Sequence, residues 1–172
     1  MTPNTRLRPL GALLCTLPLL LTACGGGSAD PKQATDAGYA ALNSGDSGAA
    51  VDHFAAALEV LAPGDAGYKR ARMGEIEAKV KVAPDAATAS FIDYAGKHPD
   101  QVSADDYQKV GIKLSENKAL GDAVKVLDAG LKRFADNPKL KQAMDLTVAK
   151  AETSNDSSAL DLLKGLGYVG GD

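Results

Sequence analysis

The chain contains no tryptophan, only 5% aromatic residues and only two cysteines among 172 positions. A core of such a protein is assembled from small aliphatic side chains. Basic excess is also missing: the formal net charge is −3, which argues against nucleic acid as the main partner, since phosphate binding wants a basic surface. The one long apolar run, Leu10 to Leu21, is interrupted by Pro18. At 1.5 Å per residue it is too short to span a hydrocarbon layer of ~30 Å as a helix. No HExxH or HxxxH pattern occurs, and no alternating β-branched run announces a strand. A phosphate-cradling loop after a strand is therefore excluded. What remains is ordinary globular composition, 45% hydrophobic and 24% charged, and length for one domain.

The N-terminal run fits a targeting segment. Arg6 and Arg8 form a basic flank, Leu10–Leu21 an apolar middle, and small residues follow, as in a secretory signal peptide. Leu21-Thr22-Ala23-Cys24 then precedes Gly25-Gly26-Gly27-Ser28. This string resembles the lipobox of bacterial lipoproteins. The resemblance implies cleavage between Ala23 and Cys24, lipid on Cys24 and removal of Cys15 with the leader. Gly25 stands where members kept at the inner membrane often carry Asp, which favours the outer membrane if the cell is Gram-negative. The expected location is thus a bacterial cell membrane, with a lipid-anchored, periplasm-facing domain. Losing residues 1–23 removes two arginines and no acid, taking the net charge from −3 to −5. The folded part would then contain no thiol, hence no disulfide, thiolate metal site or cysteine nucleophile. Residues 24–31 read as a linker; its seven residues after the cysteine reach roughly 15 Å as a flexible coil.

From Asp30 onward the periodicity is helical. Ala50, Phe54, Ala57, Leu58 and Leu61 have the same spacing as Ala123, Leu127, Gly130, Leu131 and Phe134, 73 residues later. Both sets put five side chains on one helix face. Half that distance locates a middle copy at Ala87, Phe91 and Tyr94. Each such helix follows another, with apolar faces at Ala34, Ala37, Gly38, Ala41 and Leu42, then Tyr68, Ala71, Ala78 and Val82, then Tyr107, Val110, Gly111 and Leu114. The unit is a helical hairpin of about 36 residues. Gly45-Asp46-Ser47, Pro84-Asp85 and Gly121-Asp122 are the expected turns within hairpins; Pro63-Gly64, His98-Pro99 and Asn137-Pro138 separate them. Ser103 and Asp106 have the spacing of a capping box. Asn137 caps a last helix with the stripe Leu140, Ala143, Met144 and Thr147, its polar back formed by Lys139, Lys141, Gln142, Asp145 and Lys150.

The string Gly38, Gly45-Asp46, Ala50, Phe54, Ala57-Leu58 and Pro63 resembles the tetratricopeptide repeat (TPR). The second copy has Ala87, Phe91 and Pro99, with Glu75 at the small position beside Gly74 and Tyr94 in place of Ala; the third has Gly111, Ala123 and Leu131. The opening Trp of the repeat is missing throughout. The resemblance covers about residues 31–137. It implies an all-α fold, a short right-handed α-solenoid of about three hairpins plus a terminal capping helix, over residues 32–151. Residues 152–172 form a tail with a short apolar segment, which either folds back on the last helices or docks on another protein.

Nothing in the chain has catalytic spacing. His53 and His98 fall in different repeats, and Asp105-Asp106 stands at a helix start, where carboxylates favour the macrodipole. The expectation is a non-catalytic protein with no metal and no cofactor beyond the lipid on Cys24. In TPR-like arrays the first helices line a concave groove. Carrying that pattern over gives Tyr39, Leu42, Lys69, Arg72, Ile76, Lys79, Gln108 and Ile112 as groove residues. Glu75–Lys79 and Glu77–Lys81 have the favourable i, i+4 order, so the basic helix can also pair with itself. The function expected is a membrane-anchored adaptor or assembly factor for another cell-envelope protein. The alternative is a binding protein for a small or glycan-like envelope ligand, against which the lack of tryptophan counts.

Overall fold

The computed structural model describes residues 30–170. Cys24, the leader and most of the linker lie outside the described residues. Eight α-helices follow one another, with no strand among the described residues. They are α1 (Pro31–Ser44), α2 (Ser47–Val60), α3 (Tyr68–Val82), α4 (Pro84–Lys97), α5 (Ala104–Glu116), α6 (Leu120–Arg133), α7 (Pro138–Ser154) and α8 (Ser157–Leu166). A single 3₁₀ turn, Pro99–Gln101, precedes α5.

Local chemistry sets the helix ends. The carboxylates of Asp30, Asp46 and Asp156 accept hydrogen bonds from the backbone N–H groups of Lys32, Ala49 and Ala159 at 2.9–3.0 Å. Ser103 and Asp106 cap each other reciprocally at the start of α5, and the Asn137 side chain accepts from Lys139 and Leu140 N–H. Such caps are worth ~1 kcal/mol each. Proline begins α1, α4 and α7, where its missing N–H costs nothing.

The helices pack in sequence-adjacent pairs: α1 with α2, α3 with α4, α5 with α6, and α7 with α8. Gly45 (φ 84°) and Asn155 (φ 51°) are left-handed, and each is followed by a capping Asp. Those two turns make the first and last hairpins alike. The third turn is Asn117-Lys118-Ala119, with Lys118 left-handed at φ 63°. Gly121 and Asp122, expected as that turn, already belong to the first turn of α6. The tail is not a loose appendage: α8 packs on both α6 and α7, and the Tyr168 hydroxyl donates to Asp128 of α6 at 3.2 Å. A fourth pair therefore replaces the expected single capping helix.

The repeat is carried by buried positions. Ala50, Ala87, Ala123 and Ala159, with Phe54, Phe91, Leu127 and Leu163 four residues after each, are all 0% exposed. In the first helices of the pairs, Gly38, Gly74, Gly111 and Thr147 occupy the matching small position, at spacings of 36 or 37. A Cβ on Gly38 would stand 2.7 Å from the Phe54 ring, and one on Gly74 2.5 Å from it. The ring of Phe54 is thus clasped between α1 and α3, and bare backbone is what lets it in. Gly74, not Glu75, is consequently the small residue of the second pair, which shifts the register of that helix by one. The pairs also touch across the repeat: α1 meets α3, α3 meets α5 and α5 meets α7. The first helices accordingly stand next to one another.

Candidate functional site

Along the adjacent first helices, ion pairs run from each helix to the next at near-repeat spacing. Arg70 of α3 meets Asp36 of α1 at 2.8 Å. Lys69 meets Asp106 of α5 at 2.8 Å, and Glu77 receives Lys113 at 2.6 Å and Lys109 at 3.5 Å. Lys139 of α7 meets Asp105 at 3.0 Å. Burial by itself would raise the Asp106 pKa. The Lys69 ammonium and the N–H and hydroxyl of Ser103 outweigh it, and the carboxyl lies below its ordinary range.

The eight residues expected to form one groove are distributed over several faces. Tyr39 is a joint: its hydroxyl donates to the Arg70 carbonyl at 3.0 Å, its ring meets Phe54 edge-on at 5.0 Å, and the Arg70 guanidinium lies over it at 4.8 Å. Burial pushes the Tyr39 phenol up. Lys69 points at α5 through Asp106, whereas Arg72 and Lys79 converge on Glu75, at 2.5 and 2.8 Å. Arg72 also donates to the Tyr68 hydroxyl, and Lys79 reaches Ser90 of α4 at 3.3 Å. Desolvation opposes the charge on Arg72, yet Tyr68 and Glu75 together raise its pKa. Ile76 is 0% exposed and belongs to the core. Gln108 is half-buried, Ile112 packs half-buried against the main core, and Leu42 borders a hollow described below. Arg72 and Lys79 share one carboxylate and Lys69 is held by another, so each of the three is already paired with an acid.

Two hollows lie where the later ends of the first helices meet the hairpin turns. One, about 340 Å³, is bordered by Leu42 and Asn43 of α1, Glu77 and Lys81 of α3, and Lys113 and Glu116 of α5. The other, about 830 Å³, is mostly apolar and bordered by Glu116, Lys118, Leu120, Leu146, Ala149 and Lys150, among others. Glu116 borders both and stands between the two hollows. The larger hollow has a plain origin. Counted from the shared small position, α7 runs from Thr147 to Ser154, and α5 only from Gly111 to Glu116. The two extra residues overhang the α5–α6 turn by ~3 Å.

Leu146, Leu120, Lys118 and Glu116 escaped the sequence reading. The signal for Leu146 was there: it is a large aliphatic residue on the polar back of α7, outside the buried stripe, and it is 57% exposed. The lining from α5 and α6 had no such signal, because it depends on where the third turn falls.

His53 is exposed on α2, and His98 lies beside the Tyr94 ring at 5.3 Å. Among the described residues no group of three or more His, Cys, Asp or Glu is arranged to hold a metal ion. No described helix is long and apolar enough to cross a membrane.

No protein-family model, curated protein or solved structure matches the chain. What the structure defines is an all-helical protein of four consecutive helix pairs, with two hollows where first helices meet hairpin turns.

Proposed function

We propose that this chain is a TPR-like bacterial lipoprotein, a short right-handed α-solenoid that acts without catalysis as an adaptor or assembly factor for another protein of the cell envelope. Cys24 carries the lipid and tethers the helical domain to the membrane through the short linker. Two or more acyl chains make such an attachment stable, whereas one alone would not. The observation that supports the interaction role best is the larger hollow between the α5–α6 turn and α7, which presents aliphatic side chains to solvent. An exposed apolar recess within an acidic, charge-paired surface is the usual mark of a binding face. The helical hairpins suit the task because stacked units offer one long surface instead of an enclosed cavity.

Crosslinked affinity purification of the full chain from its own membranes tests this reading. A near-stoichiometric envelope protein is the expected result, and recovery of the chain alone overturns it. Cys24→Ser tests the tether independently: the variant should accumulate as uncleaved precursor. Normal processing together with membrane extraction of that variant would remove the lipoprotein assignment.

A further inference from the structure

We infer that a third hollow, between the start of α3 and the end of α4, binds a small aromatic carboxylate. The inference goes beyond the adaptor reading and does not depend on it. This hollow measures about 300 Å³ and is bordered by Pro63 of the preceding loop. At ~30 Å³ per water molecule it has room for about ten non-hydrogen atoms, the size of benzoate. Rings form its walls. Tyr68 and Tyr94 stand 6.1 Å apart, and His98 lies 6.3 Å from the first and 5.3 Å from the second. A chain with five tyrosines and two histidines thus gathers two and one of them here. The walls are fixed in advance. The Tyr94 hydroxyl donates to Gln101 Oε1 at 2.8 Å, and Gln101 Nε2 donates to the Pro63 carbonyl at 3.1 Å. Such preorganisation lowers the ordering cost of binding.

The polar groups at this hollow are mostly donors. A guanidinium has five N–H groups, and Arg72 spends one on Glu75 and one on the Tyr68 hydroxyl. The Tyr68 hydroxyl accepts that bond and donates to no protein group among the described residues. Ser90 Oγ accepts from Lys79 in the same way and keeps its own proton to give. Against these stands one bordering carboxylate, Asp93, which Lys97 holds at 2.9 Å on the exposed rim. The charge behind the wall does not cancel either. Arg72 and Lys79, both mostly buried, share the single buried carboxylate of Glu75, which leaves that cluster one positive charge over. Asp106, whose charge reaches Tyr94, is spent on Lys69. Spare N–H and O–H donors, one uncompensated cation and walls of rings together select a ligand whose flat apolar body ends in a carboxylate. Arg72 donates its free N–H groups to that carboxylate, and the rings of Tyr68, Tyr94 and His98 cover the body.

The experiment is calorimetric titration of the full chain in mild detergent with benzoate, and separately with benzamide, acetate and inorganic phosphate. Ring signals in the NMR spectrum locate the site. Benzoate should bind saturably and shift the signals of Tyr68, Tyr94 and His98. Benzamide, which has the same shape without the charge, should bind about tenfold more weakly or less well still. Acetate and phosphate, which have the charge without the ring, should also bind more weakly than benzoate. Arg72→Gln should weaken benzoate by about tenfold or more, and it leaves Glu75 paired with Lys79, so no buried acid is stranded. Arg72→Lys keeps the charge and loses the fork, and should weaken benzoate by about threefold or more. Thermal melts followed by circular dichroism check that both variants fold. No saturable benzoate binding overturns the inference, and so do shifts confined to other rings. Equal binding of benzamide overturns the role of the charge; acetate or phosphate bound as tightly as benzoate overturns the role of the rings. Benzoate binding unchanged in a folded Arg72 variant overturns the site itself. None of these outcomes bears on capture of an envelope protein, which tests the adaptor reading separately.

Discussion

The two ends of the row of first helices use the same parts differently. Between α1 and α3, side chains close the joint. Tyr39 donates to the Arg70 carbonyl, Arg70 stacks on Tyr39 and pairs with Asp36, and Phe54 fills the space left by two glycines. Between α5 and α7, the matching small position carries Thr147, the helices differ in length, and Lys118, Lys150, Glu116 and Asp156, none of them in an ion pair among the described residues, border a hollow with an exposed leucine. At the first joint the side chains just named are satisfied within the chain, although Lys81 borders the smaller hollow without an ion pair; the second leaves both polar and apolar groups unsatisfied. A protein can afford unsatisfied groups of either kind at its surface, but their coincidence at one recess is what a binding face requires. Repetition of a scaffold therefore does not spread function evenly along it.

The sharpest way to break this comparison is to attack the closed joint. Phe54 is fully buried in contact range of both α1 and α3. Phe54→Ala should cost about 3–5 kcal/mol, a transfer term plus the cavity left between helices that cannot collapse fully. Urea denaturation of the folded domain measures it. A cost below ~1 kcal/mol would mean that the ring is not clasped as described.

Next in size is the small position itself. A Cβ at residue 74 falls 2.5 Å from the Phe54 ring, so Gly74→Ala should destabilise by about 1–3 kcal/mol, despite the better helix propensity of alanine. At the open end, Thr147→Ala should stay within ~1 kcal/mol. The threonine hydroxyl bonds only to the Ala143 carbonyl of its own helix, at 2.8 Å. Adding Phe54→Leu to Gly74→Ala should recover part of the loss, because the smaller side chain yields room. If both small positions respond alike, the asymmetry between the ends disappears.

How much of this was legible beforehand follows from the kind of signal each feature leaves. Helix faces are written in spacing, and so the hairpins, the Ser103/Asp106 box and the Asn137 cap could be read directly. Adding 36 to Ala123 and Leu127 reaches Ala159 and Leu163, and Asn155-Asp156 repeats the role of Gly45-Asp46, so the fourth pair was also present in the spacing. It was hidden by the polar stretch before α8, which reads as loop until those buried positions are aligned. The register of α3 was not legible, because Gly74 and Glu75 are neighbours and only the Phe54 ring decides between them. A charged residue on a helix gives no sign of its direction, and Arg72 turns to Glu75 as Lys69 turns to Asp106.

A smaller effect concerns pH and the pairing of neighbouring first helices. Asp106 has its pKa lowered in the folded protein by Lys69 and Ser103, against the pull of burial. An unfolded aspartate titrates near 3.9. The lowered folded value means that the folded chain holds its proton less tightly, so the contribution is fully present above about pH 4. It fades as the pH falls through the lower folded-state value. Asp106→Asn should therefore narrow the stability gap between the two chains as acid is added, with the largest gap near neutrality. Melting temperatures measured from pH 7 down to pH 3 give that curve, and a gap independent of pH would show that Lys69–Asp106 does not couple to folding.

The smallest expected effect is on the open end, and it separates binding from stability most cleanly. Lys118 and Lys150 are exposed and form no ion pair among the described residues. Replacing either by Ala should change the unfolding free energy by no more than ~0.5 kcal/mol, the ordinary range for surface positions without partners. Lys118 carries one reservation of sign: at φ 63° it occupies left-handed backbone, where Gly would relieve strain and Ala does not. Lys118→Gly should consequently stabilise slightly, or leave stability unchanged, while removing the charge. If Lys150→Ala destabilises by more than 1 kcal/mol in a urea melt, that lysine is part of the scaffold after all. The open end would then be as self-satisfied as the closed one, and its charge would carry no information about a partner.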